Sequence, residues 1–211
     1  MSTLSKVIVG LDEVGRGALA GSVVACAIAV QKFSVFPAKC GIPLWRDTFQ
    51  FSKGLKDSKK LTAKRREEIF KFLKNSPEVE WGIGRVSEKV IDKINILQAT
   101  KLAMKRAVNN LKIKVDFLLI DGNFGINSDV PQKSIVKGDE KIFLIKLASI
   151  VAKVTRDRAM MRYHKKYPQY RFDKHKGYGT KLHFKMLKKY GPCKIHRKSF
   201  SPMKKSNLLQ K

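Results

Sequence analysis

The stretch that decides the fold is Val7-Ile8-Val9-Gly10-Leu11-Asp12-Glu13-Val14-Gly15-Arg16-Gly17. Its first five residues form the short apolar run of a buried strand. Two carboxylates follow at once, and then an arginine between two glycines. Neighbouring strand residues point to opposite faces, so Asp12 and Glu13 meet in one pocket only if a bulge or turn re-aims one of them. Gly15 and Gly17 make such a turn the expectation. Carboxylates beside a buried strand are unfavourable unless paired or metal-bound. A solvated strand end explains the same two residues equally well.

Working outward, Val23 to Val30 reads as a second strand, with Gly15-Arg16-Gly17 in the turn between the two. Residues Gln31 to Gly54 carry Pro37, Gly41, Pro43 and several aromatics, and read as an insertion or long loop. Thr62 is a plausible N-cap for a helix to about Lys74. Val79 to Val86 suits a strand. Ile96, Leu97, Thr100, Met104, Ala107 and Leu111 fall at helical spacing. Val115 to Ile120 reads as a buried strand ending at Asp121-Gly122, and Ser134 to Val136 as a short one. Phe143, Leu147, Ile150, Val151 and Val154 share one face of a helix from about Lys141 to Lys165. Thr180 to Tyr190 is another helix, and the tail from Ser199 suits a last short one. Hairpin-capable strands come first and alternating elements later, which predicts an α/β or α+β domain with a central mixed sheet.

Three more acids matter. Asp121 closes the apolar run Phe117-Leu118-Leu119-Ile120, although Asp-Gly is also ordinary turn chemistry. Asp139 precedes the long helix, where an N-cap or first-turn acid is common. Asp157 lies inside that helix, four residues after Lys153, and an intrahelical ion pair accounts for it. It stands as the competitor to Asp139.

The 211 residues carry 45 Lys+Arg against 17 Asp+Glu, a net charge of +28. A polyanion is the natural partner, and nucleic acid fits best because phosphate neutralisation releases counterions. A lysine-rich proteome would produce the same excess, and the basic residues are spread along the chain. No apolar run approaches the ~20 residues needed to cross a bilayer. Met1 to Lys6 lacks the features of a secretory signal. The expectation is therefore a soluble cytoplasmic protein. Cys26, Cys40 and Cys193 are odd in number and lack metal-ligand spacing, which argues for reduced thiols.

A basic protein that gathers acids at strand ends suits phosphodiester hydrolysis. Two divalent ions about 3.5–4 Å apart can clamp the attacking and leaving oxygens. Such hard ions want oxygen ligands from several elements. At this point the residues resemble a family. Gly10-Leu11-Asp12-Glu13-Val14-Gly15-Arg16-Gly17 looks like the N-terminal signature of ribonuclease HII. The likeness continues in order through Asp57-Ser58-Lys59-Lys60-Leu61, Asn95 to Thr100, Ile120-Asp121-Gly122-Asn123 and Val136-Lys137-Gly138-Asp139. It then runs through Ala148 to Asp157, His175-Lys176-Gly177-Tyr178-Gly179-Thr180 and Arg197-Lys198-Ser199-Phe200. One Gly-Arg-Gly is weak; so many blocks in one order are strong.

The resemblance implies one ribonuclease H-like domain over 1–211, with a mixed sheet flanked by helices and a helical C-terminal part from about 180 to 211. It implies that Asp12, Glu13, Asp121 and Asp139 bind Mg²⁺ or Mn²⁺ and direct water onto phosphorus. The substrate would be an RNA–DNA hybrid, or duplex DNA with an embedded ribonucleotide. The cut would fall 5′ of the ribonucleotide and leave 3′-hydroxyl and 5′-phosphate ends. Gly15, Arg16 and Gly17 would approach the 2′-hydroxyl. Tyr178 would stack on the next deoxyribose. Lys59, Lys60, Lys153 and Arg156 would contact phosphate, and Ser149 the substrate backbone. A monomer with no membrane contact is expected. His164, His183 and His196 show no constellation, and His175 reads as a surface or phosphate-contacting residue. Ala18 stands where the family commonly has proline, Leu147 where a small residue is usual, and Gln31 to Gly54 is longer than typical. A non-catalytic basic binding protein would also explain +28, but would not need the acids. A resolvase-like or integrase-like nuclease would share the fold and cut all-DNA duplexes.

Overall fold

The structure, a computed structural model, describes residues 6–31 and 61–204. Cys40, Lys59, Lys60 and the proposed insertion over Gln31 to Gly54, apart from Gln31 itself, lie outside the described residues. Among the described residues, five strands form one sheet in the order β3-β2-β1-β4-β5. They are β1 (Ile8–Val14), β2 (Val23–Val30), β3 (Val79–Val86), β4 (Phe117–Asp121) and β5 (Gln132–Ile135). β1, β2 and β3 pair antiparallel, whereas β1–β4 and β4–β5 are parallel. The sheet is therefore mixed, as the strand pattern predicts.

Every residue of β2 is buried, because helices cover both faces of the sheet. Val23, Ala25, Ala27 and Ala29 pack toward α2 (Glu88–Asn109) with Val9 and Leu11 of β1. Cys26, Ile28 and Val30 pack toward α1 (Ala63–Lys74) and α4 (Phe143–Lys166). Alternation along a strand produces this division. The long helix α4 lies so close to β1 that a Cβ on Gly10 would collide with the backbone of Leu144 and Ile145. Only glycine fits there, and the approach sets α4 beside the end of β1. Leu147 is fully buried in the same layer.

The predicted helix of Thr62 to Lys74 is present, and the Thr62 hydroxyl accepts the Arg65 N–H at 3.2 Å. The helical run from Ile96 begins earlier, at Glu88, with a break at Asn95 (φ 65°, ψ 168°). The Asn95 side chain accepts the Gln98 N–H at 3.1 Å and so starts a helix afresh. The apolar spacing reports only this second segment. A short helix α3 (Gly138–Lys141) precedes α4. Beyond α4 come a 3₁₀ turn (Pro168–Tyr170), α5 (Phe172–His175), α6 (Lys181–Tyr190) and α7 (Ser201–Lys204). The 3₁₀ turn and α5 are too short to leave a periodic signature. No helix among the described residues is long and apolar enough to cross a membrane. Cys26 and Cys193 are free thiols.

These last elements enclose a separate core of Leu19, Met160, Tyr170, Phe172, Leu187 and Ile195. Here the structure corrects the reading of the histidines. His175, His183 and His196 are buried and gathered. The His175 and His183 rings stack at 4.2 Å, and His183 Nε2 lies 3.0 Å from His196 Nε2. His175 is neither a surface residue nor a phosphate contact, because Tyr170 O and the Gly177 N–H occupy its two nitrogens. Burial pushes His183 down to about 3 and His196 down to about 4 from an ordinary 6.5. The unfolded chain takes up protons below 6.5 that the folded pair refuses. Stability from this pair is thus present above about pH 6.5 and is lost as the pH falls toward 4 and then 3. Long-range ¹H–¹⁵N spectra should show both imidazoles neutral down to about pH 5, and thermal melts should shift downward from about pH 6.5 to about 4.5. Two imidazoles titrating near 6.5 would contradict this.

Candidate active site

β1 and β4 are adjacent and parallel, with Leu11 opposite Ile120. The next residues, Asp12 and Asp121, therefore stand side by side at the carboxyl ends of the two strands, about 4.8 Å apart in backbone. Leu11 faces α2, so Asp12 faces α4, where Ser149 lies. Neither a bulge nor the expected turn re-aims them: β1 pairs with β2 without interruption through Val14 opposite Val24, and the glycine turn begins only at Gly15. The two carboxylates converge for another reason. The pairing of β4 with β1 stops at Ile120, so the flank of β1 beyond Leu11 is open. One oxygen each from Asp12, Glu13 and Asp121 then lies within 4.8 Å of the others.

Asp139 reaches the same place by a different route. The Gly138 N–H donates to Asp121 Oδ1 at 2.6 Å and draws the turn before α4 against the end of β4. Asp139 is buried and lines the same cleft, of about 490 Å³, yet stands outside the tight trio. Its competitor Asp157 is ion-paired to Lys153 at 2.8 Å and does not line the cleft.

The surroundings of the trio oppose its full ionisation. Burial pushes the Asp12 carboxyl well above its usual range, and Glu13 beside it adds to the rise; the Ser149 hydroxyl works against it. Burial also raises Glu13, while Arg16 lowers it through a contact of 3.2 Å. Asp12 Oδ1 accepts the Glu13 N–H at 2.7 Å. Glu13 Oε2 is buried and accepts no hydrogen bond among the described residues. A buried carboxylate oxygen without a donor, among further carboxylates, fits a bound cation. The donor set is all oxygen, as a hard divalent ion requires.

Gly15, Arg16, Gly17, Ser149, Lys153 and Tyr178 line the cleft with the acids. Tyr178 sits with Lys153 Nζ 5.8 Å and Arg156 Cζ 5.2 Å from its ring centre. Arg156 departs from the reading as a phosphate contact. It is fully buried, and its guanidinium donates to the carbonyls of Ser22, Lys176 and Ala20 at 2.9–3.1 Å. Each of its three nitrogens donates to a carbonyl, so it holds the loop after β1, and it does not line the cleft.

Two residues were given no role by the sequence reading, although Arg197 stands in one of its quoted blocks. Arg66 of α1 lines the cleft. Arg197 is fully buried and donates to Gly15 O at 2.7 Å, Arg16 O at 2.8 Å and Gly21 O at 2.8–2.9 Å. It therefore clamps the Gly15-Arg16-Gly17 turn from below. Nothing in composition or spacing separates these two from the other basic residues. Gly15 needs its own freedom as well, with φ at 93° and the Arg156 side chain against its Cα.

Comparison with known proteins agrees with this geometry. The ribonuclease HII family model matches residues 9–203. The chain is 47% identical to the ribonuclease HII of Chlamydia pneumoniae over 199 residues, covering 94% of this chain and 85% of that one. It is 46% identical to that of Caldicellulosiruptor bescii over 200 residues, covering 92% and 86%. The crystal structure of ribonuclease H2 from Pyrococcus horikoshii superposes with a TM-score of 0.70 at 26% identity, over 94% of this chain and 96% of that one. With a mixed sheet that delivers carboxylates to one cleft and a family match along almost the whole chain, this protein belongs to the ribonuclease HII family.

Proposed function

We propose that the acidic cleft is where this metal-dependent endoribonuclease cuts the RNA strand of RNA–DNA hybrids and nicks DNA at embedded ribonucleotides. Asp12, Glu13, Asp121 and Asp139 are the residues that would hold Mg²⁺ or Mn²⁺. Bound there, divalent metal supplies Lewis acidity toward the phosphate oxygens and lowers the pKa of water. Everything else falls to the chain. Arg16 restrains Glu13, and Ser149 orients Asp12 and borders the substrate backbone. Gly15 and Gly17 leave the backbone bare, so that it approaches the 2′-hydroxyl that marks RNA. Lys153 faces phosphate, and Tyr178 offers its ring to the deoxyribose that follows. Lys59 and Lys60 serve as further phosphate contacts in this reading. Water attacks phosphorus and the 3′ oxygen leaves, so the cut lies 5′ of a ribonucleotide and yields 3′-hydroxyl and 5′-phosphate ends. The chain works as a monomer in the cytoplasm, with 1–211 acting as one domain.

The observation that carries the reading is the convergence of three carboxylates within 4.8 Å in a chain of net charge +28. Its test is cleavage of an end-labelled duplex with one ribonucleotide. A single nick 5′ of that ribonucleotide is expected with Mg²⁺ or Mn²⁺ and none with chelator, while an all-DNA duplex of the same sequence stays intact. Cutting of the all-DNA duplex would favour a resolvase-like enzyme instead.

A further inference from the structure

The buried histidines are the largest group of titratable side chains that this chemistry leaves unused. Their hydrogen bonds run in one direction. His183 Nδ1 lies 2.9 Å from Tyr178 O, and a carbonyl only accepts, so Nδ1 carries the proton and Nε2 is bare. On the other side, His196 Nδ1 meets both the Cys193 N–H at 2.9 Å and the Cys193 carbonyl at 3.2 Å, and it is the bare His183 Nε2, 3.0 Å from His196 Nε2, that selects the tautomer with the His196 proton on Nε2. His196 Nε2–H donates to His183 Nε2 at 3.0 Å, and His183 Nδ1–H donates to the Tyr178 carbonyl. A second proton on either ring would set two N–H groups head to head.

The output of this relay is the backbone of Gly177 and Tyr178. His175 Nδ1 accepts the Gly177 N–H at 3.2 Å, while His175 stacks on His183. From the opposite side, the Leu19 N–H donates to Gly177 O at 2.8 Å, and Ala18 bridges to Tyr178. The loop that bears Gly15 to Gly17 and the peptide that bears Tyr178 are thereby joined. Among the described residues, the Tyr178 ring itself meets only the flanking cations Lys153 and Arg156 in ring contacts. Its direction depends on how its backbone is held.

We propose that His183, held in one tautomer by His196, is a positioning residue that aims Tyr178 into the cleft. This rests on the reading of Tyr178 as a substrate-facing residue. The histidines never touch substrate; they act through the peptide they hold.

Two isosteric amides separate positioning from mere packing. His183→Asn places an N–H where Nδ1 stood and keeps the bond to the Tyr178 carbonyl. His183→Gln replaces Nε2 instead and leaves that carbonyl without its imidazole donor. Each is combined with Tyr178→Ala in a double-mutant cycle, with kcat/KM read on a duplex bearing one ribonucleotide and folding checked by thermal melt. His183→Gln is expected to lose about tenfold in the wild-type background and little in the Tyr178→Ala background. His183→Asn is expected to stay within about twofold of wild type. Equal losses in both backgrounds, or equal losses for the two amides, overturn the proposal. Should His183→Gln not fold, His196→Phe enters the same cycle. It frees His183 to move its proton to Nε2, and the same dependence on Tyr178 is expected. If Tyr178→Ala alone cuts like wild type, the substrate-facing reading of Tyr178 fails and takes this proposal with it. If Tyr178→Ala is impaired but His183→Gln is not, only the positioning claim fails.

Discussion

Replacing Asp12 with asparagine is expected to abolish metal-dependent cutting while leaving duplex binding intact or tighter. The substitution is nearly isosteric, and the amide oxygen of the new side chain can still accept the Glu13 N–H that Asp12 Oδ1 accepts at 2.7 Å. What disappears is one of three converging carboxylates. Stabilisation of the developing phosphate charge by metal is worth several kcal/mol, and about 4 kcal/mol corresponds to roughly a thousandfold in rate. A loss of at least that size in single-turnover cleavage is the expected result. The same change should stabilise the metal-free protein by a few degrees. Asp12 is buried, and both burial and the Glu13 charge oppose its ionisation. Added Mn²⁺ should raise the melting temperature of wild type and do much less for the variant. Cutting within tenfold of wild type would remove Asp12 from the catalytic set.

The second large effect concerns stability and a residue remote from the chemistry. Arg197 is fully buried, and among the described residues no carboxylate forms an ion pair with it. Burial first, and the neighbouring Arg156 second, push its guanidinium down to about 9. It persists there because it satisfies the carbonyls of Gly15, Arg16 and Gly21, with its guanidinium 5.0 Å from the Phe200 ring centre. Arg197→Met fills similar volume and strands those carbonyls. Each buried acceptor left unsatisfied costs about 1–3 kcal/mol. The sum over three carbonyls, roughly 3–9 kcal/mol, lowers the melting temperature of a chain of this size by about 10 °C or more. Arg197→Lys should recover little, since one ammonium does not span a fork of three carbonyls. Cleavage should fall too, because the Gly15-Arg16-Gly17 turn loses its clamp. A melting temperature within about 2 °C of wild type would show that the carbonyls find other partners.

The two arginines show where reading a sequence stops. Arg156 and Arg197 occur in motifs, and a phosphate contact is the ordinary expectation for a conspicuous basic residue in so basic a protein. Both instead are buried beneath the loop after β1, with every guanidinium nitrogen donating to a carbonyl. An arginine looks the same in sequence whether its guanidinium meets solvent or main chain. The histidines repeat the lesson: His175, His183 and His196 lie 8 and 13 positions apart, yet α5, α6 and the loop after α6 bring their rings together.

By itself the sequence determined the strands, most helices, the mixed sheet and the acids worth watching. Those signals are local: apolar runs, helical spacing, a hydroxyl before a helix, and a carboxylate where an apolar strand stops. Only the tertiary structure decided that Asp12 and Asp121 are neighbours, that Asp139 and not Asp157 lines their cleft, and that Arg156 is internal. The pairing of β1 with β4 joins residues more than a hundred positions apart. Such contacts arise from strand register and helix packing, which no local pattern encodes, and the convergence of charge at the end of the sheet is their consequence.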